Sequence, residues 1–180
     1  MPDELIDIFD ENNQLTGKQL LKSFAHKKGL WHRAAHIWIY NSRGEILLQL
    51  RQKGKVFYPD RWDISAAGHV SAGEEPIVSG LRELEEELGL KVKKKDLEFL
   101  KIRKVIIRFR KIINKEFYYI YLLRYDGQAE NLRIQDSELQ EIRFWTPQEI
   151  KKELHLHPRK FVPHGKYWMD IIGEIKKRVD

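Results

Sequence analysis

Gly68-His69-Val70-Ser71-Ala72-Gly73-Glu74 leads, after seven residues, into Arg82-Glu83-Leu84-Glu85-Glu86-Glu87-Leu88-Gly89-Leu90. Pro76 suits the first turn of a helix. Ile77, Leu81, Leu84 and Leu88 then recur at the spacing of one apolar helical face, and Gly89 suits the position beyond the C-terminus. The spacing predicts a helix over 77–88, entered from a glycine-containing loop. On it Glu83, Glu86 and Glu87 stand at i, i+3 and i+4 and share a face. Like charges so placed cost about 0.2–0.5 kcal/mol per pair. A hard divalent cation would remove that cost, since magnesium takes oxygen ligands and is often held by a few carboxylates plus substrate phosphates. The bland alternative is a solvated acidic face. The glycine loop, Arg82 as an internal counter-charge, and an apolar stripe on a different face weigh against it.

Outward from this segment, Leu5 to Phe9 reads as a strand ended by the turn cluster Asp10-Glu11-Asn12-Asn13. Lys18 to His26 reads as a helical turn or irregular structure. Ala34 to Tyr40, Asn41-Ser42-Arg43-Gly44 and Ile46 to Leu50 form a hairpin pattern. A glycine-, proline- and aromatic-containing loop runs from Gly54 to Trp62. Lys104 to Ile113 and Glu116 to Tyr125 are β-rich, and Ile142 to Trp145 reads as a further strand. Thr146-Pro147 is an N-cap followed by a first-turn proline, opening a helix to Leu154, and Lys166 to Val179 is a terminal amphipathic helix. Strands interspersed with helices indicate an α/β or α+β sandwich. No linker divides the 180 residues, so 1–180 reads as one domain.

With 42% hydrophobic and 33% charged residues the chain is globular rather than disordered. It has no cysteine, which excludes disulfides, thiolate zinc sites and cysteine nucleophiles. The net charge of +6 favours anionic partners without choosing among them. No apolar run is long enough for a membrane span, and the acidic start Met1-Pro2-Asp3-Glu4 lacks a signal pattern. A cytoplasmic location is expected.

The segment resembles the box of the Nudix hydrolases: G, five residues, E, seven residues, then R-E-U-x-E-E-x-G-U, with U a bulky aliphatic. Gly68, Glu74, Arg82, Glu83, Leu84, Glu86, Glu87, Gly89 and Leu90 fill every place. At ~6% usage for each of the fixed residues, chance gives such a match about once in 10⁹ start positions or fewer. The resemblance implies an α/β/α sandwich with a mixed β-sheet core, and hydrolysis of a diphosphate linked to another moiety with Mg²⁺ or Mn²⁺. It implies metal ligands at Glu83, Glu86, Glu87 and the Ala67 carbonyl, with one glutamate serving as general base. Glu74 would support the site and Arg82 would orient the glutamates. Arg33, Arg51 and Lys55 lie on or after the strands leading to the box and are candidates for holding phosphate, with surface solubilising charge as the alternative. Glu116, Glu138 and Glu141 are further candidates for the base.

Trp31-His32-Arg33-Ala34 and the run from Phe57 to His69 resemble, more narrowly, the Nudix proteins related to type I isopentenyl-diphosphate isomerase, and above all a hydrolase branch beside it. The isomerase cysteine position is Ala67 here, and its Glu-x-Glu becomes Asn114-Lys115-Glu116. An alanine cannot carry protons, while the box that the isomerases degrade is complete here. Hydrolysis is therefore expected. The substrate would be isopentenyl diphosphate, a related isoprenoid diphosphate, or a nucleoside diphosphate derivative. The resemblance further implies a second metal at His32, His69 and Glu116, with His26 as another ligand; the alternative for these histidines, His69 included, is hydrogen bonding to substrate phosphates or backbone. A non-catalytic nucleotide- or RNA-binding module is the competing function. A nucleic-acid or membrane partner is not expected, and the family's habit admits a homodimer. Trp38 and Trp62 read as core or pocket wall, Trp168 as packing, and His155-Leu156-His157 and Lys93-Lys94-Lys95 as solvated loops.

Overall fold

Residues 3–109 and 112–179 are described in a computed structural model. The elements are β1 (Leu5–Phe9), β2 (Leu15–Leu21), α1 (Lys22–Lys28), β3 (Trp31–Tyr40), β4 (Ile46–Arg51), β5 (Trp62–Asp63), β6 (Ala66–His69), α2 (Pro76–Leu88), β7 (Leu97–Phe109), β8 (Ile112–Arg124), β9 (Leu139–Trp145), α3 (Pro147–Leu156) and α4 (Lys166–Val179).

Strand β3 is the hub of a mixed sheet. It runs antiparallel to β1, β4 and β6, and parallel to β8 from Trp31↔Lys115 to Tyr40↔Arg124. Beyond it, β8 pairs with β7, and β4 pairs with β5 and β9. Nearly every β3 side chain is buried, as the near-continuous apolar run of a strand covered on both faces requires. Ala35, Ile37 and Ile39 pack with Leu84 and Leu88 of α2, while Trp38 and Tyr40 pack with Trp168, Ile171 and Ile175 of α4 and with Ile150 of α3. The sheet thus lies between helices, in the expected α/β/α arrangement. Helix α2 sits close because Gly80 has no side chain: a Cβ there would lie 3.3 Å from Ile37 Cδ1.

The helix ends follow the sequence. Gly89 takes φ 64°, and the Gly89 and Leu90 amides donate to the Glu85 and Leu84 carbonyls. Thr146 Oγ1 accepts from the Glu149 amide, and the Glu149 carboxylate accepts from the Thr146 amide. Two expectations are corrected. Lys18 to His26 is not one helical or irregular segment, since Lys18 to Leu21 belong to β2 and only Lys22 onward is helical. The long hairpin does not break at Asn114-Lys115: Phe109 pairs with Ile112, and β8 runs unbroken through both residues. Among the described residues no helix is long and apolar enough to cross a membrane.

Candidate active site

The box folds as strand, loop and helix, bringing its polar residues to one cavity of about 480 Å³. Glu83 and Glu87, one helical turn apart, both line it. Glu87 is 6% exposed, and its Oε2 accepts from the Ala67 amide at 3.4 Å. Burial and the neighbouring Glu83 push the Glu87 carboxyl up to about 8, and nearby Lys55 and Arg51 offset this only in part. Burial likewise raises Glu83 to about 7, against the opposing charge of Arg82. Glu86 is half exposed at the rim.

Arg82 bridges the carboxylates. Its Nη1 donates to Glu83 at 2.8 Å and to Glu86 at 3.3 Å, and its guanidinium lies 3.6 Å from Glu4 and 3.8 Å from Glu74. Glu74 is fixed in turn by the Ser79 hydroxyl at 2.6 Å. Arg82 and Glu74 are thus tied to the same carboxylate network. Ala67, Gly68 and Arg82 line the cavity, and Glu74 does not.

Four ligand-type side chains converge at a second place. His26, His32, His69 and Glu116 each bring one donor atom within 4.8 Å of the others. His32 Nε2 is 3.2 Å from His26 Nε2 and 3.4 Å from Glu116 Oε1, and His69 Nε2 is 3.1 Å from the same oxygen. His32 Nδ1 lies 3.0 Å from the Leu30 carbonyl. His32 can therefore offer Nε2 to a metal by keeping its proton on Nδ1 against Leu30, the arrangement usual for a metal-ligating imidazole, whereas without a metal its Nε2 faces Glu116 as a hydrogen-bond partner. Burial lowers His26 to about 4, helped by His69 and His32, and burial also lowers His69. Burial alone would raise Glu116, but the His32 and His69 imidazoles reverse this and hold it well below the usual range. The lowered imidazoles of His26 and His69 beside an ionised Glu116 suit a transition-metal cation.

The basic candidates divide. Lys55 lines the cavity and pairs with Glu138. Arg51 lines it as well, but donates Nε and Nη2 to the Phe57 carbonyl and Nη1 to Asp63 at 3.0 Å. Its fork organises the Gly54 to Trp62 loop. Arg33 does not join them: it donates to Asn13 at 2.8 and 3.1 Å, and its guanidinium lies 3.8 Å from the centre of the Phe9 ring. Of the later glutamates, Glu138 lines the cavity and Glu141 does not. The tryptophans line none of it; Trp38 and Trp168 are core, and Trp62 packs edge-on to Trp145. His155, His157 and Lys93 to Lys95 are exposed, but His155 and Leu156 belong to the last turn of α3 and not to a loop.

Sequence reading missed His164 and Asp63. His164 Nε2 lies 2.7 Å from Asp63 Oδ1, and both residues line the cavity. Burial would raise Asp63, but the His164 and Arg51 charges hold it well below the carboxylate range. A span of 101 residues separates the pair. The segment before α4 carries His164 there because the Val162 amide donates to the Trp62 carbonyl. No local pattern announces such a contact.

The NUDIX domain family matches residues 30–165. The chain is 36% identical over 142 residues to an uncharacterized Nudix hydrolase of Clostridium acetobutylicum, covering 77% of this chain and 68% of the relative. It is 34% identical over 185 residues to Nudix hydrolase 3 of Arabidopsis thaliana, of whose length it spans 23%. It is also 29% identical over 160 residues to the isopentenyl-diphosphate Delta-isomerase of Serratia proteamaculans, covering 88% of this chain and 86% of the relative. Among solved structures, a protein of Deinococcus radiodurans superposes with a TM-score of 0.70 at 18% identity, over 97% of this chain and 98% of that one. An intact box, folded as one site and carried on this sheet, agrees with the sequence matches: the chain belongs to the Nudix hydrolases and is an enzyme of the diphosphohydrolase type.

Proposed function

We propose that the chain, acting as one domain over 1–180, uses Mg²⁺ or Mn²⁺ to hydrolyse a small-molecule diphosphate. The substrate is a nucleoside diphosphate derivative or a small isoprenoid diphosphate. The observation that carries the reading is the pair Glu83 and Glu87, one turn apart on α2 and both lining the cavity, where burial pushes them up to about 7 and about 8 despite Arg82 beside Glu83 and Lys55 near Glu87. An all-oxygen donor set of this kind fits a hard divalent cation, with Glu86 and the Ala67 carbonyl completing it. When bound, such an ion neutralises phosphoryl oxygens and lowers the pKa of water.

The chain's own residues supply the rest. Arg82 fixes the direction of Glu83 and Glu86, and the Ala67 amide fixes Glu87. Glu83 and Glu87 line the cavity side by side, so either is placed to take a proton from the attacking water. Lys55 brings a cation to the cavity for a phosphate oxygen, in place of Arg33, which is turned to Asn13 and the Phe9 ring outside the cavity. Glu116 faces the cavity as a ligand of a second cation with His26, His32 and His69, or as an additional base.

The test identifies the cleavage products by chromatography (mononucleotides, sugar phosphate, pyrophosphate or phosphate, according to substrate) with magnesium and then manganese, over isopentenyl diphosphate, ADP-ribose, nucleoside triphosphates and dinucleoside polyphosphates. Metal-dependent cleavage of one class, abolished in a folded Glu87→Gln variant, is the expected result. A folded protein that cleaves none of them with either metal would count against the reading.

A further inference from the structure

One part of the cavity is lined by polar groups that the diphosphate chemistry does not use. Gln49 on β4 pairs in register with Asp63 on β5. Cross-strand partners set their side chains side by side. Gln49 lines the cavity, is 2% exposed, and its Oε1 has no hydrogen-bond partner among the described residues. Asp63 is held by Arg51 on one side and His164 on the other. His164 lines the same wall.

A buried amide oxygen without a partner costs stability, and a purely hydrocarbon ligand would leave that cost in place. A ligand bearing an N–H or O–H opposite Gln49 would remove it. Sites built to hydrogen-bond a substrate group discriminate strongly against analogues lacking it, because their own polar groups are then stranded.

We propose that Gln49, together with the His164–Asp63 pair, determines specificity: these residues select a diphosphate whose organic group donates a hydrogen bond, as a nucleobase or ribose does, and turn away a prenyl chain. This rests on the proposed placement of the diphosphate at Glu83 and Glu87. It separates this chain from a prenyl-diphosphate enzyme by residues of its own.

Equilibrium binding tests the selection independently of turnover. Dissociation constants for ADP, CDP, GDP, UDP and isopentenyl diphosphate are measured by titration calorimetry in calcium, for the wild type, Gln49→Met and His164→Phe, with the fold checked by circular dichroism. The wild type should prefer its best nucleotide over isopentenyl diphosphate by about a hundredfold or more. Gln49→Met, of similar volume, should reduce that preference about tenfold by removing one hydrogen bond, and His164→Phe should also reduce it. Isopentenyl diphosphate binding as tightly as the best nucleotide overturns the inference, as does no nucleotide binding, or a preference unchanged in the folded variants. Selective binding without any metal-dependent cleavage would sink the hydrolase reading and leave the selection standing.

Discussion

Glu83 lies against the backbone of Gly68: a Cβ at residue 68 would be 2.0 Å from Glu83 Cδ and 2.1 Å from Oε1. The two are fifteen residues apart and belong to opposite ends of the box. The glycine is there because a carboxylate needs its space. Since the clash is with the far end of a flexible side chain, Gly68→Ala should move the Glu83 carboxylate rather than unfold the protein. Misplacing a catalytic group by about 1 Å costs on the order of 10²-fold in rate. The expected outcome is a loss of that size in kcat with a small change in Tm; an active Gly68→Ala enzyme would show that the position of Glu83 is not critical.

Glu83 and Glu87 also set the pH response of the metal-free protein. Their folded pKa values, about 7 and about 8, lie above the ordinary value of 4.5. The fold therefore favours their protonated forms. The stabilisation is fully present below the unfolded pKa and is lost as pH rises through the folded values. With chelator present, Tm should fall by a few °C between about pH 7 and about pH 8.5; below that range His26, His36 and His69, whose folded pKa values burial lowers, act in the opposite direction. Glu87→Gln should flatten part of that fall. Adding magnesium should raise Tm most at the alkaline end, where no proton need be displaced. A metal-free Tm that rises over this range would contradict the buried, mutually repelling pair.

How far the sequence revealed this site depends on how local each signal is. The box carries its own geometry, because helical spacing alone sets Glu83, Glu86 and Glu87 on one face, and Gly89 and Thr146-Pro147 mark helix ends chemically. Strand β2 was hidden because it is exposed at almost every position, so no alternation of apolar and polar residues reveals a strand. The break between the β-rich runs at Asn114-Lys115 follows the turn preference of Asn, but both residues pair within β8, where Asn114 lies opposite Ile107 and Lys115 opposite Ile106. The long-range pairs, Lys55 with Glu138 and Asp63 with His164, exist only once the sheet and the segment before α4 are assembled.

Arg82 is the shared counter-charge of four carboxylates. Its side chain is 30% exposed, so water screens part of the effect. Arg82→Met should still lower Tm in chelator and reduce activity, because Glu83 loses its 2.8 Å partner and Glu4, Glu74 and Glu86 lose a common cation. Excess magnesium should recover much of the Tm but little of the rate, since the ion restores charge and not direction. Thermal melts with and without magnesium, alongside kcat, separate the two effects. Equal recovery of both would reduce Arg82 to a charge balance.

Thr146 tests the other face of the sandwich, away from the chemistry. Its hydroxyl and the Glu149 carboxylate satisfy each other's backbone amides at the start of α3. Replacing such a cap by alanine costs about 1 kcal/mol, which for a chain of this size lowers Tm by roughly 2–4 °C. Thr146→Ala should do this with kcat/KM unchanged. An activity loss without a Tm change would place α3 closer to the reaction than its packing on Trp38 and Trp168 through Ile150 implies.

Glu116 decides between one cation and two. It sits 5% exposed between His32 and His69, its charge favoured by both imidazoles. If it is a ligand, removing its charge should cost one bound ion and leave the carboxylates of α2 able to hold the other. Manganese stoichiometry by equilibrium dialysis should then fall from two per chain to one in Glu116→Gln, and equally in His32→Gln, with the Glu87→Gln variant losing the other ion instead. If Glu116 is a base and not a ligand, stoichiometry stays the same in Glu116→Gln while kcat falls and its pH profile loses a limb. His32→Gln then separates the roles again: loss of an ion there, without loss in Glu116→Gln, would leave the metal to the histidines and the proton to Glu116.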